Sequence, residues 1–218
     1  PHIIDRGSAW FSSIGTAESK GPKIFSVSGH VNRPGNYELP LGVSLRDIIF
    51  DCAGGIPNGK RIKAVIPGGV STPILPGDKV DVPMAFETLE GAGSALGTGA
   101  VIVMDEDTCM VEIVRRISKF FAHESCGHCT PCRIGSVRIF EILNRIENGK
   151  GNPRDIELLL DLVEGIDGLT LCPMGSALVN PVRSAIQHFR PEFEFHLTHK
   201  SCMVCAPVQN RREICRKS

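Results

Sequence analysis

Three cysteines spaced two residues apart, Cys126, Cys129 and Cys132, form a C-x2-C-x2-C motif, and Cys172 follows after 39 residues, directly before Pro173. A cubane iron–sulfur cluster is held by four thiolates. A compact loop of this spacing supplies three of these thiolates, and a cysteine followed by proline is a common fourth ligand. The spacing therefore predicts that these four cysteines bind one [4Fe-4S] cluster.

Other uses of these cysteines fit the sequence less well. Structural zinc usually takes its ligands as two separated pairs, disulfides do not suit a chain of intracellular character, and plain buried thiols have no reason to cluster. The neighbouring His123 and His128 are expected to surround the loop or face solvent rather than bind metal. Cys52 and Cys109 fall inside apolar helical patterns and are predicted to be core thiols.

A second group of potential ligands lies near the C-terminus. His196, His199, Cys202 and Cys205 follow one another at x2 spacings, and Cys215 comes after nine intervening residues. A second metal in this tail is one interpretation, either zinc at a mixed His/Cys site or an incomplete iron–sulfur segment that needs a partner chain. A solvated, basic tail with reduced thiols is the other, and the sequence leaves both open.

The chain that positions these residues changes character near residue 107. Residues 22–88 show strand periodicity in the order β-β-α-β-β, which predicts a small mixed sheet with one helix, a β-grasp-like plan. Ser44 is expected to cap the helix. The strands are predicted at 23–31, 36–39, 62–66 and 78–82.

Residues 107–196 show helical periodicity and predict a four-helix bundle that carries the cluster, so the fold class is α+β. Pro131 suits the first position of the second helix. The helices are expected at 107–123, from 130 to just before 149, at 152–163 and at 173–189. Residues 89–106 are predicted to be a Gly-rich linker followed by a strand, and 197–218 a Cys-containing basic tail.

Composition excludes several function classes. The 218 residues include 24 Lys and Arg against 24 Asp and Glu, for a net charge of zero. A nucleic-acid-binding protein needs a basic surplus, so no nucleic-acid partner is expected. No apolar run is long enough to cross a bilayer, and no membrane insertion is expected.

Five segments together resemble the NADH-binding flavoprotein subunit of respiratory complex I, the F-type subunit of the bacterial complex. Its module also occurs in NAD-linked hydrogenases and formate dehydrogenases. The resemblance covers residues 1 to about 196. The segments are Glu124-Ser-Cys-Gly-His-Cys-Thr-Pro-Cys-Arg133, Ser28-Gly-His-Val-Asn-Arg-Pro-Gly-Asn-Tyr37, Ala64-Val-Ile-Pro-Gly-Gly69, Gly99-Ala-Val-Ile-Val-Met-Asp105 and Leu171-Cys-Pro-Met-Gly175.

The resemblance implies a β-grasp domain of the soluble-ligand-binding type, followed by a helical domain with one [4Fe-4S] cluster on Cys126, Cys129, Cys132 and Cys172. In this family a domain upstream binds FMN and NADH, and residues 1–21 are expected to be its end. The Gly-rich flavin and nucleotide region of the family is absent from this sequence, so no FMN or NAD ligand is assigned and no catalytic residue is expected.

The function expected from the resemblance is electron transfer from FMN, reduced by NADH, through the cluster toward quinone. The expected partners are other subunits of an NADH dehydrogenase complex, notably a thioredoxin-like [2Fe-2S] subunit and a multi-cluster iron–sulfur subunit. The expected location is the cytoplasmic face of the bacterial inner membrane, or the matrix side in mitochondria. Two alternatives are a diaphorase subunit of a hydrogenase or formate dehydrogenase, and a zinc-stabilised interaction module without a redox role.

Overall fold

A mixed sheet organises Pro1–Glu106, the first of two units into which the chain divides, the second beginning at Asp107. The structure, a computed structural model, describes residues 1–204. Five strands of these residues form the sheet in the order β2-β1-β5-β3-β4. They are β1 Pro22–Gly29, β2 Gly35–Pro40, β3 Ile62–Ile66, β4 Leu75–Pro76 and β5 Ala100–Asp105.

The β1–β2 pair is the predicted antiparallel hairpin, in which Phe25 stands opposite Tyr37. Along β1 the side chains alternate between core and solvent, so Phe25 and Val27 are buried while Ile24 and Ser26 are not. This period of two is what a strand with one buried face requires. The β1 strand also pairs in parallel with β5, and β5 pairs antiparallel with β3.

A short helix covers the sheet. Ser44 caps helix α2, Leu45–Asp47, by accepting a hydrogen bond from the Arg46 N–H, and the chain continues as a π-helical turn, Ile48–Cys52. Leu45, Ile48 and Ile49 are fully buried and join the same apolar cluster as Phe25. The remaining helices of this unit are α1 His2–Ser12 and α3 Phe86–Gly91.

Two segments of the first unit differ from the sequence prediction. The strand expected at 78–82 is a 3-10 turn, Gly77–Lys79, and the pairing strand is the preceding β4. Pro76 ends this edge strand because proline has no backbone N–H to donate to the neighbouring strand. Val80 is buried although it does not belong to a strand, so the apolar pattern of this segment reflects burial and not strand pairing. Residues 100–105, predicted as a strand beside a linker, form the central strand of the sheet.

Four helices make up the described part of the second unit, and each starts close to its predicted position. They are α4 Met110–Glu124, α5 Thr130–Glu147, α6 Asp155–Glu164 and α7 Met174–His199. Their apolar faces bury Val114, Ile139, Leu143, Leu159 and Val182 against one another.

Helix α7 extends ten residues beyond the end expected at Phe189. Pro191 predicts a stop, because proline removes one helical hydrogen bond and clashes with the preceding turn. The chain absorbs this with a non-helical backbone at Phe189 (φ −127°) and then resumes the helix. As a consequence His196 lies on α7 and is buried, instead of following the end of the helix.

Candidate iron–sulfur centre

The four predicted cluster ligands line one cavity in the second unit. Its volume is about 200 Å³, and Cys126, Cys129, Cys132 and Cys172 all contribute to its wall. The other lining residues are Glu124, Ser125, His128 and Met174. Cys172 is remote in sequence from the C-x2-C-x2-C loop, so the fold completes the set of four thiols.

Helix ends place each of these cysteines. Cys126 follows Ser125, the C-cap of α4, and Cys129 is the N-cap of α5. Cys132 lies in the first turn of α5, next to Pro131 at the start of that helix, where a missing N–H costs nothing. Cys172 stands two residues before α7 begins.

Side chains within the loop hold its shape. Gly127 has a left-handed backbone (φ +77°), which glycine adopts without a steric penalty. The Arg133 guanidinium donates a hydrogen bond of 2.7 Å to the Gly127 carbonyl, and the Ser125 hydroxyl lies 3.2 Å from the Cys132 sulfur. In the segment that carries the fourth cysteine, the Thr170 hydroxyl donates to the Cys172 carbonyl at 2.8 Å.

Two helix N-termini, those of α5 and α7, lie at the cavity, and the first N–H groups of a helix carry a partial positive charge. The C-terminus of α4 and the Glu124 carboxylate, which also border the cavity, are of opposite sign. The N-termini of α5 and α7 would favour the anionic thiolates and sulfides of a cluster. The donor set, four thiols around one cavity, fits a [4Fe-4S] cluster.

The four thiols differ in their exposure to solvent. Cys132 is buried, Cys129 is half-buried, and Cys126 and Cys172 are exposed. Of the two neighbouring histidines, His128 lines the cavity, whereas His123 is exposed and lies 3.1 Å from the Glu124 carboxylate. The spacing of the cysteines does not predict the contacts of Ser125, Arg133 and Thr170. Ser125 and Arg133 nevertheless lie within the segment 124–133 that contains the C-x2-C-x2-C motif.

The second group of potential ligands is assembled differently from its sequence spacing. His196 and Cys202 are buried and lie together with Cys109, a residue predicted to be a core thiol. His199 is exposed and stacks on Phe195. The remaining tail cysteines, Cys205 and Cys215, lie outside the described residues. Cys52, the other predicted core thiol, is only half-buried.

Comparison with known proteins identifies both units. Residues 112–196 match the NADH-ubiquinone oxidoreductase-F iron-sulfur binding region, and residues 24–75 match the SLBB domain. The chain is 49% identical over 202 residues to an F-type subunit of NADH-quinone oxidoreductase, the one numbered 2, of Rhizobium meliloti. The chain is homologous to the C-terminal part of these F-type subunits, and it contains the iron-sulfur binding region and the SLBB domain.

Further relatives, among them hydrogenase subunits, are similar to this chain over the same part. The chain is 46% identical over 202 residues to the F-type subunit of Mycobacterium bovis, and equally to an NADP-reducing hydrogenase subunit of Solidesulfovibrio fructosivorans. The matches cover 93% of this chain but 48%, 45% and 41% of the three relatives, so the chain spans less than half their length. An NAD+-reducing [NiFe]-hydrogenase structure superimposes with a TM-score of 0.81 and 38% identity, covering 89% of this chain and 33% of that one.

The matched region indicates the cofactor of the helical unit. The region that residues 112–196 match is an iron–sulfur binding region, and its cofactor is a [4Fe-4S] cluster. FMN and NAD belong to the upstream part of the relatives. The relatives are oxidoreductase subunits. Among the residues that the structure describes, no helix has the length and apolar character needed to span a membrane.

Proposed function

We propose that this chain is the electron-transfer part of an NADH-oxidising flavoprotein subunit, and that Cys126, Cys129, Cys132 and Cys172 hold its [4Fe-4S] cluster. The observation that carries this proposal is that these four thiols line one cavity. When bound, the cluster would carry one electron at a time, and a flavin that receives two electrons from NADH can release them in such single steps.

The residues of the chain have three tasks in this function. The four cysteines fix the position of the cluster, and the N-termini of α5 and α7 favour its negative charge. The contacts of Arg133 and Thr170 hold the two segments that carry the thiols. Cys126 and Cys172 are exposed to solvent, so a donor or acceptor group on another domain or subunit can approach the cavity at these residues.

The route of the electrons and the partners follow from the resemblance to the flavoprotein subunit of complex I. We propose that electrons arrive from FMN, bound upstream and reduced by NADH, and leave toward quinone through further clusters. The partners are then a thioredoxin-like [2Fe-2S] subunit and a multi-cluster iron–sulfur subunit. The location is the peripheral arm of the complex, on the cytoplasmic face of the bacterial inner membrane or the matrix side in mitochondria.

The two units are proposed to be a β-grasp domain of the soluble-ligand-binding type and a four-helix bundle. The match of residues 24–75 to the SLBB domain supports the first. The mutual contacts of α4, α5 and α7, with α6 against α5 and α7, support the second. The sheet unit then serves as scaffold and the helical unit carries the redox group.

A second candidate function is favoured by the hydrogenase relatives, namely a diaphorase subunit of an NAD-linked hydrogenase or formate dehydrogenase. The similarity to the hydrogenase subunit of Solidesulfovibrio fructosivorans and to the [NiFe]-hydrogenase structure supports it. The chemistry of the cluster is the same in both candidates. Iron bound by the tail cysteines, beyond that of one cubane, would favour the diaphorase.

The iron and acid-labile sulfide contents of the anaerobically reconstituted chain test the proposed function. A single cubane predicts about four iron atoms and four sulfides per chain. Clearly more iron than this would favour the diaphorase candidate. Zinc bound in place of iron and sulfide would overturn the electron-transfer function and favour an interaction module.

A further inference from the structure

A second cluster of metal-ligating side chains lies in the helical unit and takes no part in the proposed cluster site. Cys109, His196 and Cys202 each direct a ligand atom to one point, and these atoms lie within 4.8 Å of one another. All three residues are buried, and His196 is only 1% exposed. We propose that Cys109, His196 and Cys202 bind a zinc ion.

The distance between the Cys109 and His196 ligand atoms matches that of a metal site, and all three ligand atoms lie within 4.8 Å of one another. A tetrahedral zinc ion with bonds of about 2.3 Å to sulfur and 2.0 Å to nitrogen keeps its ligand atoms roughly 3.3–3.8 Å apart. The Cys109 sulfur lies 3.6 Å from Nε2 of His196. The Glu147 carboxylate oxygen lies 3.8 Å from the Cys109 sulfur and 3.2 Å from the same Nε2, within reach of a fourth position.

The surroundings of His196 orient its ring as in a metal ligand. Nδ1 lies 2.7 Å from the backbone carbonyl oxygen of Glu192, so Nδ1 carries the proton and donates it to that carbonyl. When Nε2 is deprotonated, its lone pair faces the sulfur of Cys109 and is available to a metal. Metal-binding histidines commonly donate their other ring N–H to a carbonyl or carboxylate in this way.

The position of Cys109 is fixed as well. Cys109 is the N-cap of α4, and the next backbone N–H, that of Met110, donates to the Glu192 carboxylate at 3.1 Å. One residue of α7 therefore contacts both sides of the site, through its carbonyl to His196 and through its side chain to the start of α4. The ligands come from three places in the sequence, and a metal would join them.

The composition of the site also suits a divalent cation. The Glu147 carboxylate lies beside the Cys109 sulfur and Nε2 of His196, and its negative charge would help to balance that of the ion. Thiols bind metals as thiolates, so binding would release the protons of Cys109 and Cys202.

The donor set selects zinc over other common ions. Thiolate and imidazole ligands suit zinc, whereas calcium and magnesium require oxygen ligands. A cubane cluster takes four thiolates, and its four candidates already line a different cavity. Closed, buried sites with mixed Cys and His ligands are typical of structural zinc, so we assign the ion a structural role in tying the end of α7 to the start of α4.

Metal analysis of purified variants of the chain tests the proposal. The wild-type protein is expected to retain about one zinc per chain after dialysis, and Cys109→Ala, Cys202→Ala and His196→Ala are expected to lose it. His199→Ala and Cys52→Ala are matched controls that keep it, because His199 is exposed and Cys52 belongs to the first unit. Zinc retained by all three ligand variants, or absent from the wild type, would overturn the proposal.

Two further measurements guard against a variant that fails to fold. Zinc K-edge absorption of the unmodified protein must show at least two sulfur and one nitrogen donors, and an oxygen-only shell or a Cys109–Cys202 disulfide would contradict the site. The iron content separates the two sites. Cys202→Ala is expected to lose zinc and keep iron, and Cys172→Ala the reverse, so either assignment can fail without the other.

Discussion

Replacing Cys172 by alanine is expected to abolish the [4Fe-4S] signal of the reduced protein. Three thiolates remain in the C-x2-C-x2-C loop, but the fourth iron of a cubane loses its protein ligand. Cys172 is exposed, so the substitution removes no packed side chain, and any loss reports on the metal site. The measurement is the EPR spectrum after reduction with dithionite, with circular dichroism as a check on folding.

The matched control for this variant is Cys52→Ala. Cys52 is a half-buried thiol at the end of the π-helical turn of the first unit. Its replacement is expected to leave both the EPR signal and the iron content unchanged. A Cys172→Ala protein with the full wild-type signal would show that another group is the fourth ligand.

The second large effect is expected in the sheet unit, where Gly29→Ala should destabilise the fold. Gly29 ends β1 with a left-handed backbone (φ +85°), and an added Cβ would meet the Val103 carbonyl oxygen of β5 at 2.2 Å. The backbone strain and the forced separation of β1 from β5 together cost roughly 2–5 kcal/mol. For a unit of this size, the loss corresponds to a fall in Tm on the order of 10 °C or more.

Gly91→Ala is the control for this prediction. Gly91 ends α3, and a Cβ added there meets no other atom within 4 Å. The Tm of this variant is expected to equal or slightly exceed that of the wild type, because alanine favours the helix. Thermal unfolding and hydrogen exchange of β1 and β5 compare the two variants. Equal Tm values for Gly29→Ala and the wild type would contradict the close approach of these strands.

The parts of the molecule that depend on local sequence were predictable. The start signals of the helices, such as Ser44 and Pro131, depend on one or two residues, and the structure contains them. Spacing selects the three thiols of the C-x2-C-x2-C loop and the thiol of Cys172, and the structure brings these four to one cavity. A cluster loop carries its own signature because its three ligands are close in sequence.

The parts that depend on packing between distant segments could not be predicted. Cys109 meets His196 across 87 residues, and its neighbours in sequence give it the pattern of an ordinary apolar helix. Helix α7 continues past Pro191, although proline disfavours the interior of a helix, and His196 is buried as a result. The central place of β5 likewise follows from a parallel pairing with β1, which short-range patterns do not encode.

A potential-controlled EPR titration of the reconstituted chain tests the electron-transfer function most directly. If Cys126, Cys129, Cys132 and Cys172 hold a [4Fe-4S] cluster, a paramagnetic signal appears on reduction, disappears on reoxidation and follows a one-electron Nernst curve. The absence of any reversible one-electron signal from protein that contains its full complement of metal would contradict electron transfer as the function of this chain.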